Sequence, residues 1–458
     1  MTPGPAEALP QLEIVRQTAA MRRIFEIAMP DQNIRKCSVL LVRYKPGKRC
    51  MVSYRLTMAK DGAANDGASA PASQILSARF YPPGDSLSRF VKAQRDAVAT
   101  PAFGMPIFHV PDLDAVVWAF PNDPKLRGVP ALIDEQRIAR EVLPVLMNRV
   151  FGREIRVGPL SLEVVRYIPE HGCTVKLTAY PDGEDSPVVF YGKTYCGEEG
   201  EQTYRNMSAL WNSEARTGGA LRMAQPLAYE PAHFILWQSA VEGPTLASFE
   251  KSGPGFLPYL RAAGRAAVAL HSQLVPGLPR MTTAQLCCDL QVAERHLRRV
   301  PTLAGRVSRL TSQLLEQARE FGAGRAATLH GDLHAKNIIF PGGTFSAGPA
   351  ALIDLDNLSA GDPLQDLGSF VASTCARALD NNIAAADIAP MIAAVVRGYE
   401  ESAAWQVPRA ALRWQTAAAL MAEQAHRTVI RLKIAKLDGL VDVAQQALSG
   451  EGHMKVLL

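Results

Sequence analysis

The stretch "VRYKPGKRCMVSYRL" at residues 42–56 returns as "VRYIPEHGCTVKLTA" at 165–179, and this recurrence limits the fold more than any other feature of the chain. Val, Arg, Tyr, Pro, Cys and a second Val recur in register, pairing Arg43 with Arg166, Tyr44 with Tyr167 and Cys50 with Cys173. Each copy reads as strand, tight turn, strand. Pro and Gly lie in or near the turn, and apolar alternation resumes after the Cys. The match continues with "SARFY" (77–81) against "YGKTY" (191–195) and "AVVWAF" (115–120) against "FILWQS" (234–239). Self-similarity on this scale means one structural unit used twice. The sequence therefore predicts two copies of a small α+β lobe, near 16–130 and 136–248.

The copies differ in one connection. The first carries "AKDGAANDGASAPAS" (59–73), polar and Gly/Ala-rich, which reads as a mobile loop. The second has only "PDGEDSP", a hairpin turn. After about residue 250 the texture changes. "FLPYLRAAGRAAVALHSQL", "MIAAVVRGYEESAAW" and "LRWQTAAALMAEQAHRTVIRLKIA" show helical apolar spacing and are rich in good helix formers. Two short apolar runs, "NIIF" and "ALIDLD", interrupt this pattern and read as a hairpin set into a helical domain. The expected fold class is α+β with three parts: 1–135, 136–248 and 249–458. A chain of 458 residues has room for two to three domains.

The hairpin is flanked by polar groups. "LHGDLHAKNIIF" (329–340) packs His330, Asp332, His334, Lys336 and Asn337 between apolar residues. Burying such groups unpartnered costs about 2–7 kcal/mol each, so they serve one another or a ligand. The second run, "ALIDLDNLSAGDPLQDLG" (351–368), delivers Asp354 seventeen positions after Asn337, and Asp356 beyond it. That spacing suits one hairpin, so Asp332, Asn337 and Asp354 can converge at its end. Two carboxylates and a carboxamide are hard oxygen ligands that suit Mg²⁺. Phosphoryl transfer needs such a set: metal for the polyphosphate, a carboxylate to take the acceptor hydroxyl's proton, and a Lys for the phosphates.

Bulk properties narrow the partners. The net charge is +5 and the pI about 8.8, with Lys and Arg scattered. That leans toward anionic ligands without forming a nucleic-acid patch; "RHLRR" (295–299) reads as a solvated helix face. The seven Cys include no CxxC pair, which argues against zinc and for reduced thiols. No stretch reads as a signal peptide, and no apolar run reaches the ~18 residues of a membrane span. A cytoplasmic protein with no nucleic-acid and no membrane partner is the expectation.

"HGDLHAKN" followed by "IDLDNLSAGDPLQDLG" resembles the aminoglycoside phosphotransferase and choline kinase superfamily, which has a protein-kinase-like bilobal fold. The family pattern is H-G-D-x-x-x-x-N, a hairpin, a strand ending I-D-[FLW], then D-P-x-x-D-[LI], and every element is present. "GRAAVALHSQL" (264–274) resembles the family helix that ends Leu-His-Ser. The resemblance covers roughly 139–430. It implies Asp332 as catalytic base and Asn337 and Asp354 as Mg²⁺ ligands. It further implies that His330 braces the loop and that Asp366 holds the loop's amides from the following helix. His334 and Asp356 fall at supporting positions, Asp356 where protein kinases have Gly. Each motif alone is commonly a turn or a helix cap; the ordered set carries the signal.

Family order makes the second repeat the ATP lobe and the first a degenerate copy with a cap or regulatory role. Lys193, on "PVVFYGKTY", resembles the lysine that meets the α/β-phosphates. Glu201 is its expected helix partner, with Glu198 and Glu199 as rivals. Adenine would bond backbone groups of Gln238, Ser239 and Ala240, with Trp237 near the ring or in the core. The turn "IPEHG" (168–172) holds only Gly172, so no glycine-rich loop is present. The first repeat has Arg79 where the second has Lys193; an always-charged Arg can contact phosphate, but with no catalytic lobe of its own this copy reads as degenerate. The implied cofactors are ATP and Mg²⁺. The implied function is transfer of the γ-phosphate to a hydroxyl of a small molecule: a sugar, an amino alcohol or an aminoglycoside-like compound. Acceptor choice falls to about 380–450, including Glu400, Glu401, Trp405, Trp414, Glu423 and His426, where bases offset acids and mildly favour a neutral or anionic acceptor. A vestigial kinase-like regulatory or scaffold protein is the competing reading.

Overall fold

The computed structural model describes residues 9–59, 72–96, 99–249, 253–321, 324–346 and 348–457. Most of the loop expected at 59–73 lies outside them. The chain forms two compact units. One comprises residues to 201 with 227–237 and 430–432; the other comprises 202–226, 238–429 and 433–458.

The first unit contains the repeat. Its first sheet has five strands in the order β1-β2-β3-β5-β4: β1 Ile34–Lys45, β2 Arg49–Met58, β3 Ser73–Phe80, β4 Ile107–Val110 and β5 Ala115–Ala119. Further along, β6 is Val157–Ile168, β7 Gly172–Pro181 and β8 Val188–Thr194. The pair β9 (Arg222–Met223) belongs elsewhere, and β10 (Pro226–Glu230) and β11 (Ile235–Ser239) complete the second sheet, in the order β6-β7-β8-β11-β10. The two orders are the same topology. Helices repeat as well: Thr18–Ala28 leads into the first sheet as Leu143–Phe151 leads into the second, and Ser86–Ala93 follows β3 as Glu199–Trp211 follows β8.

Strand alternation supplies each core. Cys50, Val52, Tyr54 and Leu56 of β2 are buried, as are Cys173, Val175, Leu177 and Ala179 of β7. Against β2 the helix Thr18–Ala28 lays Met21 and Phe25, four residues apart on one face, and the Phe25 ring meets Tyr54 edge-on at 5.1 Å. Leu143, Leu146 and Met147 do the same for the second sheet.

The second unit is mainly helical, as its apolar spacing predicts. Helix Leu257–His271 lies against Ala385–Glu400 so closely that a Cβ on Gly264 would fall 2.3 Å from the Val395 carbonyl. Thr282 caps helix Thr283–Leu297 by accepting the Gln285 N–H, and Asp362 caps Pro363–Asn381 by accepting the Leu364 N–H. Strands here are short: β12 Ala327–Leu329 pairs antiparallel with β15 Ser359–Gly361, and β13 Ile338–Ile339 pairs antiparallel with β14 Ala351–Leu352, which runs parallel to β9. The hairpin expected between "NIIF" and "ALIDLD" is β13–β14. Among the described residues, no helix is long and apolar enough to cross a membrane.

Candidate active site

The polar loop leaves the end of β12. His330 is fully buried, and its Nε2 lies 2.9 Å from the Ile353 carbonyl. Gly331 has φ 75°, and a Cβ there would meet the Asn357 carbonyl at 2.1 Å, so only glycine lets the loop press onto that turn. Asp366, in the first turn of helix Pro363–Asn381, accepts the His330 N–H at 2.6 Å and the Gly331 N–H at 3.0 Å. The same carboxylate is 3.0 Å from His271 Nε2, and His271 Nδ1 is 3.0 Å from the Tyr399 hydroxyl. Burial pushes the Asp366 carboxyl up. The hydrogen bond and charge of His271, with help from His330, outweigh burial and hold it below the usual carboxylate range.

Asp332 follows with its side chain 39% exposed and Oδ2 3.6 Å from His334 Nε2. Burial again pushes upward; His334, then Arg427 and His330, overcome it, so Asp332 stays ionised below the usual carboxylate range. His334 Nδ1 in turn accepts the Lys336 N–H at 3.2 Å. Asn337 is buried and donates from Nδ2 to the Asp332 carbonyl at 3.0 Å, which turns its Oδ1 away from that bond. Its own carbonyl accepts the Ile353 N–H, one residue before Asp354. Asp354 takes the left-handed conformation (φ 60°, ψ 52°), which Asp tolerates better than most residues, and starts the turn Leu355–Asn357 that contains Asp356.

Asn337 Oδ1 and the Asp354 carboxylate are hard donors of the kind Mg²⁺ takes. Among the described residues no cluster of three or more His, Cys, Asp or Glu side chains could hold a metal by itself. The donor set fits Mg²⁺, which binds through one or two carboxylates and completes its shell with water and phosphate oxygens.

Beside the loop opens a pocket of about 330 Å³ whose lining includes Gly331, Asp366, Ser369, Glu423, His426 and Asp289. Glu423 and His426 reach it through a π-helical segment, Leu420–Ala425, a rare distortion often found at functional sites. Glu423 accepts the Ser369 hydroxyl at 2.6 Å. Burial, with the charges of Asp332 and Asp366, outweighs that bond and Arg427, and raises its carboxyl. His426 Nε2 is 2.7 Å from His296 Nδ1. Burial and its partner push His296 down to about 4, and burial also lowers His426, so the pair is neutral near pH 7. With that pair neutral, the carboxyls on the lining are those of Asp289, Asp366 and Glu423. Two buried oxygens on its wall, Ser359 Oγ and Gln365 Oε1, have no hydrogen-bond partner among the described residues.

Four of the expected acceptor residues are elsewhere. Trp414 is buried in the helical core, donating to the Leu314 carbonyl at 3.0 Å. Glu400 is held by Arg409, Glu401 by Arg261 and Arg265, and Trp405 packs on Tyr399 and Arg325.

In the other unit, Lys193 lies on β8 with its ammonium 5.8 Å from the Tyr195 ring centre, and Glu201 sits in the first turn of helix Glu199–Trp211, where its charge reaches Tyr229. Trp237 is core: it is fully buried, donates to Glu230 at 2.5 Å, and leaves no room for a Cβ on Gly192. The Ser239 N–H donates to the Gln225 carbonyl and its hydroxyl accepts the Gln225 N–H, both at 2.9 Å, so that amide is already used. The sequence gives no role to His271 beyond the Leu-His-Ser ending, and none to Ser359, Gln365 and Glu170, which stand at unspecified positions of the quoted stretches.

Residues 205–411 match the model of the phosphotransferase enzyme family. No curated protein sequence matches the chain. Solved structures similar to it include choline kinase LicA from Streptococcus pneumoniae, at 13% identity and TM-score 0.41, covering 68% of this chain and 98% of that one. A thermostable mutant of aminoglycoside phosphotransferase APH(4)-Ia, in complex with AMP-PNP and hygromycin B, gives 13% identity and TM-score 0.44, over 68% and 98% of the two chains. An ethanolamine kinase from Plasmodium vivax gives 10% and 0.41, over 63% and 82%.

Proposed function

Taking the phosphotransferase match over residues 205–411 as premise, we propose that the chain moves the γ-phosphate of ATP to a hydroxyl of a small molecule. The observation that carries this reading is Asp332: an ionised, solvent-reaching carboxylate on a loop fixed by Asp366, beside a pocket of substrate size. A base that accepts a hydroxyl proton must be charged and within reach of its substrate. Mg²⁺, when bound, would neutralise phosphate charge, and Asn337 and Asp354 are the residues that would hold it. Lys193 would meet the α/β-phosphates, with Glu201 supporting it, and Gln238 and Ala240 would bond adenine. His334 would keep Asp332 ionised, and His330 and Asp356 would support the loop.

The pocket's chemistry narrows the acceptor. Its acidic lining disfavours an anion and leaves a neutral or cationic hydroxyl compound, such as a sugar or amino alcohol. A screen of neutral and cationic polyols for ATP-dependent, Mg²⁺-dependent phosphate transfer tests the reading, with Asp332→Asn as control. Transfer by wild type and its loss in the folded control supports it. Nucleotide binding without transfer to any acceptor favours the vestigial, regulatory alternative.

A further inference from the structure

Glu170, a turn residue between β6 and β7, is bound on every polar group. It is 6% exposed and left-handed at φ 64°. Its carboxylate accepts from Arg49 at 2.8 Å and from Arg79, with Lys125 3.9 Å away and Arg43 within its field. Its N–H donates to Asp123 Oδ2 at 3.0 Å, and its carbonyl accepts from Cys196 Sγ at 2.9 Å. Asp123 also accepts the Tyr167 hydroxyl at 2.8 Å, which meets Ser77 of β3. The first lobe and the linker after it supply all these contacts except Cys196 and Tyr167.

Strand register identifies the main cation. Arg79 pairs with Met51, next to the pair Cys50–Phe80; Lys193 pairs with Thr174, next to Cys173–Thr194. Cys50 and Cys173 are equivalent in the repeat, so Arg79 is the first lobe's counterpart of Lys193. Arg79 is also braced by the rings of Trp118 and Tyr81, 5.1 and 5.9 Å away. A guanidinium fork suits a carboxylate as it suits a phosphate.

We propose that the first lobe is a built-in clamp: its lysine-equivalent anion site takes the Glu170 carboxylate and thereby fixes the 168–172 turn for nucleotide phosphates bound at Lys193. Glu170 is a positioning residue in this scheme, and the proposal rests on the reading of Lys193 given above. The turn has one glycine, Gly172, and so lacks the amide-rich cradle of a glycine-rich loop. A turn ordered beforehand binds phosphate without the cost of ordering it. A non-glycine residue in the left-handed region persists only when its surroundings hold it there, and the contacts on Glu170 do so.

The test uses the full chain and the Mg²⁺ complex of a non-hydrolysable ATP analogue, with affinity read by calorimetry and turnover by steady-state kinetics. Glu170→Gln and Arg79→Met are each expected to weaken nucleotide binding about tenfold, with KM raised far more than kcat is lowered, and the double variant to be no weaker than the worse single. Arg49→Gln, at a more exposed contact, gives a smaller effect in the same direction and serves if either main variant fails to fold. Folded variants that bind nucleotide as wild type does, or that lose thermal stability alone, overturn the clamp. Wild type that binds no nucleotide, or binds it equally well as Lys193→Ala, overturns the functional reading and the clamp with it.

Discussion

Asp366 is the residue whose removal the structure prices most directly. It is 2% exposed and accepts two backbone N–H groups, from His330 and Gly331, while facing His271. Asp366→Ala leaves the buried His330 amide, the part-buried Gly331 amide and His271 Nε2 without this partner. Each orphaned amide costs about 1–3 kcal/mol, and breaking a buried charged contact costs about 3–5 kcal/mol in whole. The expected loss is therefore about 3–5 kcal/mol, a large part of the ~5–15 kcal/mol that holds a domain folded. Asp366→Asn keeps one acceptor oxygen but turns an NH₂ toward the second amide, for a loss of about 2 kcal/mol. Catalysis should suffer more than stability suggests, because a 1 Å shift of the loop that carries Asp332 costs about 100-fold in rate. Urea unfolding reads the first quantity, hydrogen exchange at His330 and Gly331 reads the loosened loop, and kcat reads the third. The sign with pH also follows. The folded carboxyl sits below its ordinary value, so its contribution is complete above the unfolded pKa of about 3.9 and fades only as pH falls through the folded value. The gap between wild type and Asp366→Asn should stay constant from about pH 5 to 8 and close in stronger acid. An Asp366→Asn protein with unchanged exchange at both amides and near-normal turnover would refute the reasoning.

Three further outcomes are expected. Asp332→Asn should lower kcat by about 10²–10⁴-fold with unchanged unfolding, as loss of a general base does; near-normal turnover would remove Asp332 from the chemistry. His334→Ala leaves burial of Asp332 less opposed, so its carboxyl rises and the acid limb of the pH–rate profile moves to higher pH; an unmoved limb would break the link between the two residues. Glu423 has a raised folded pKa, so its burial costs stability as pH climbs from the ordinary carboxylate range through that value. Glu423→Gln should therefore raise Tm near pH 7 and not in acid, while changing KM for the acceptor and not for nucleotide. Equal Tm shifts at both pH values would contradict that account.

The loop, the hairpin and the first-turn Asp366 were legible because they are local. Asn337 and Asp354 are joined by one hairpin, and Asp366 opens the next helix, so spacing alone brings them near β12. The repeat was legible because strand alternation and a turn survive in both copies. Acceptor residues were not, because a helix's inward face depends on its neighbours. Trp414 and Glu423 lie on one continuous helical stretch, nine residues apart, yet one fills the core and the other lines the pocket. Nine residues at about 3.6 per turn are half a turn out of phase, so the two face opposite ways, and nothing in the sequence says which face meets the pocket.

Glu170 was illegible for a different reason. In sequence it is a charged residue in a polar turn, and such residues are almost always solvated. Its partners Arg49, Arg79 and Lys125 lie 121, 91 and 45 positions away, and no periodicity links them. Only the duplication gives the arrangement meaning. A lobe with arginine where its sister has lysine still carries a strong anion site, and an unfilled buried guanidinium would be costly. Filling that site with a carboxylate from the sister lobe removes the cost and joins the copies at the same time. This predicts an asymmetry: the turn of the first copy, "KPGK", has no acid to offer in return, and a second clamp in the opposite direction could not form.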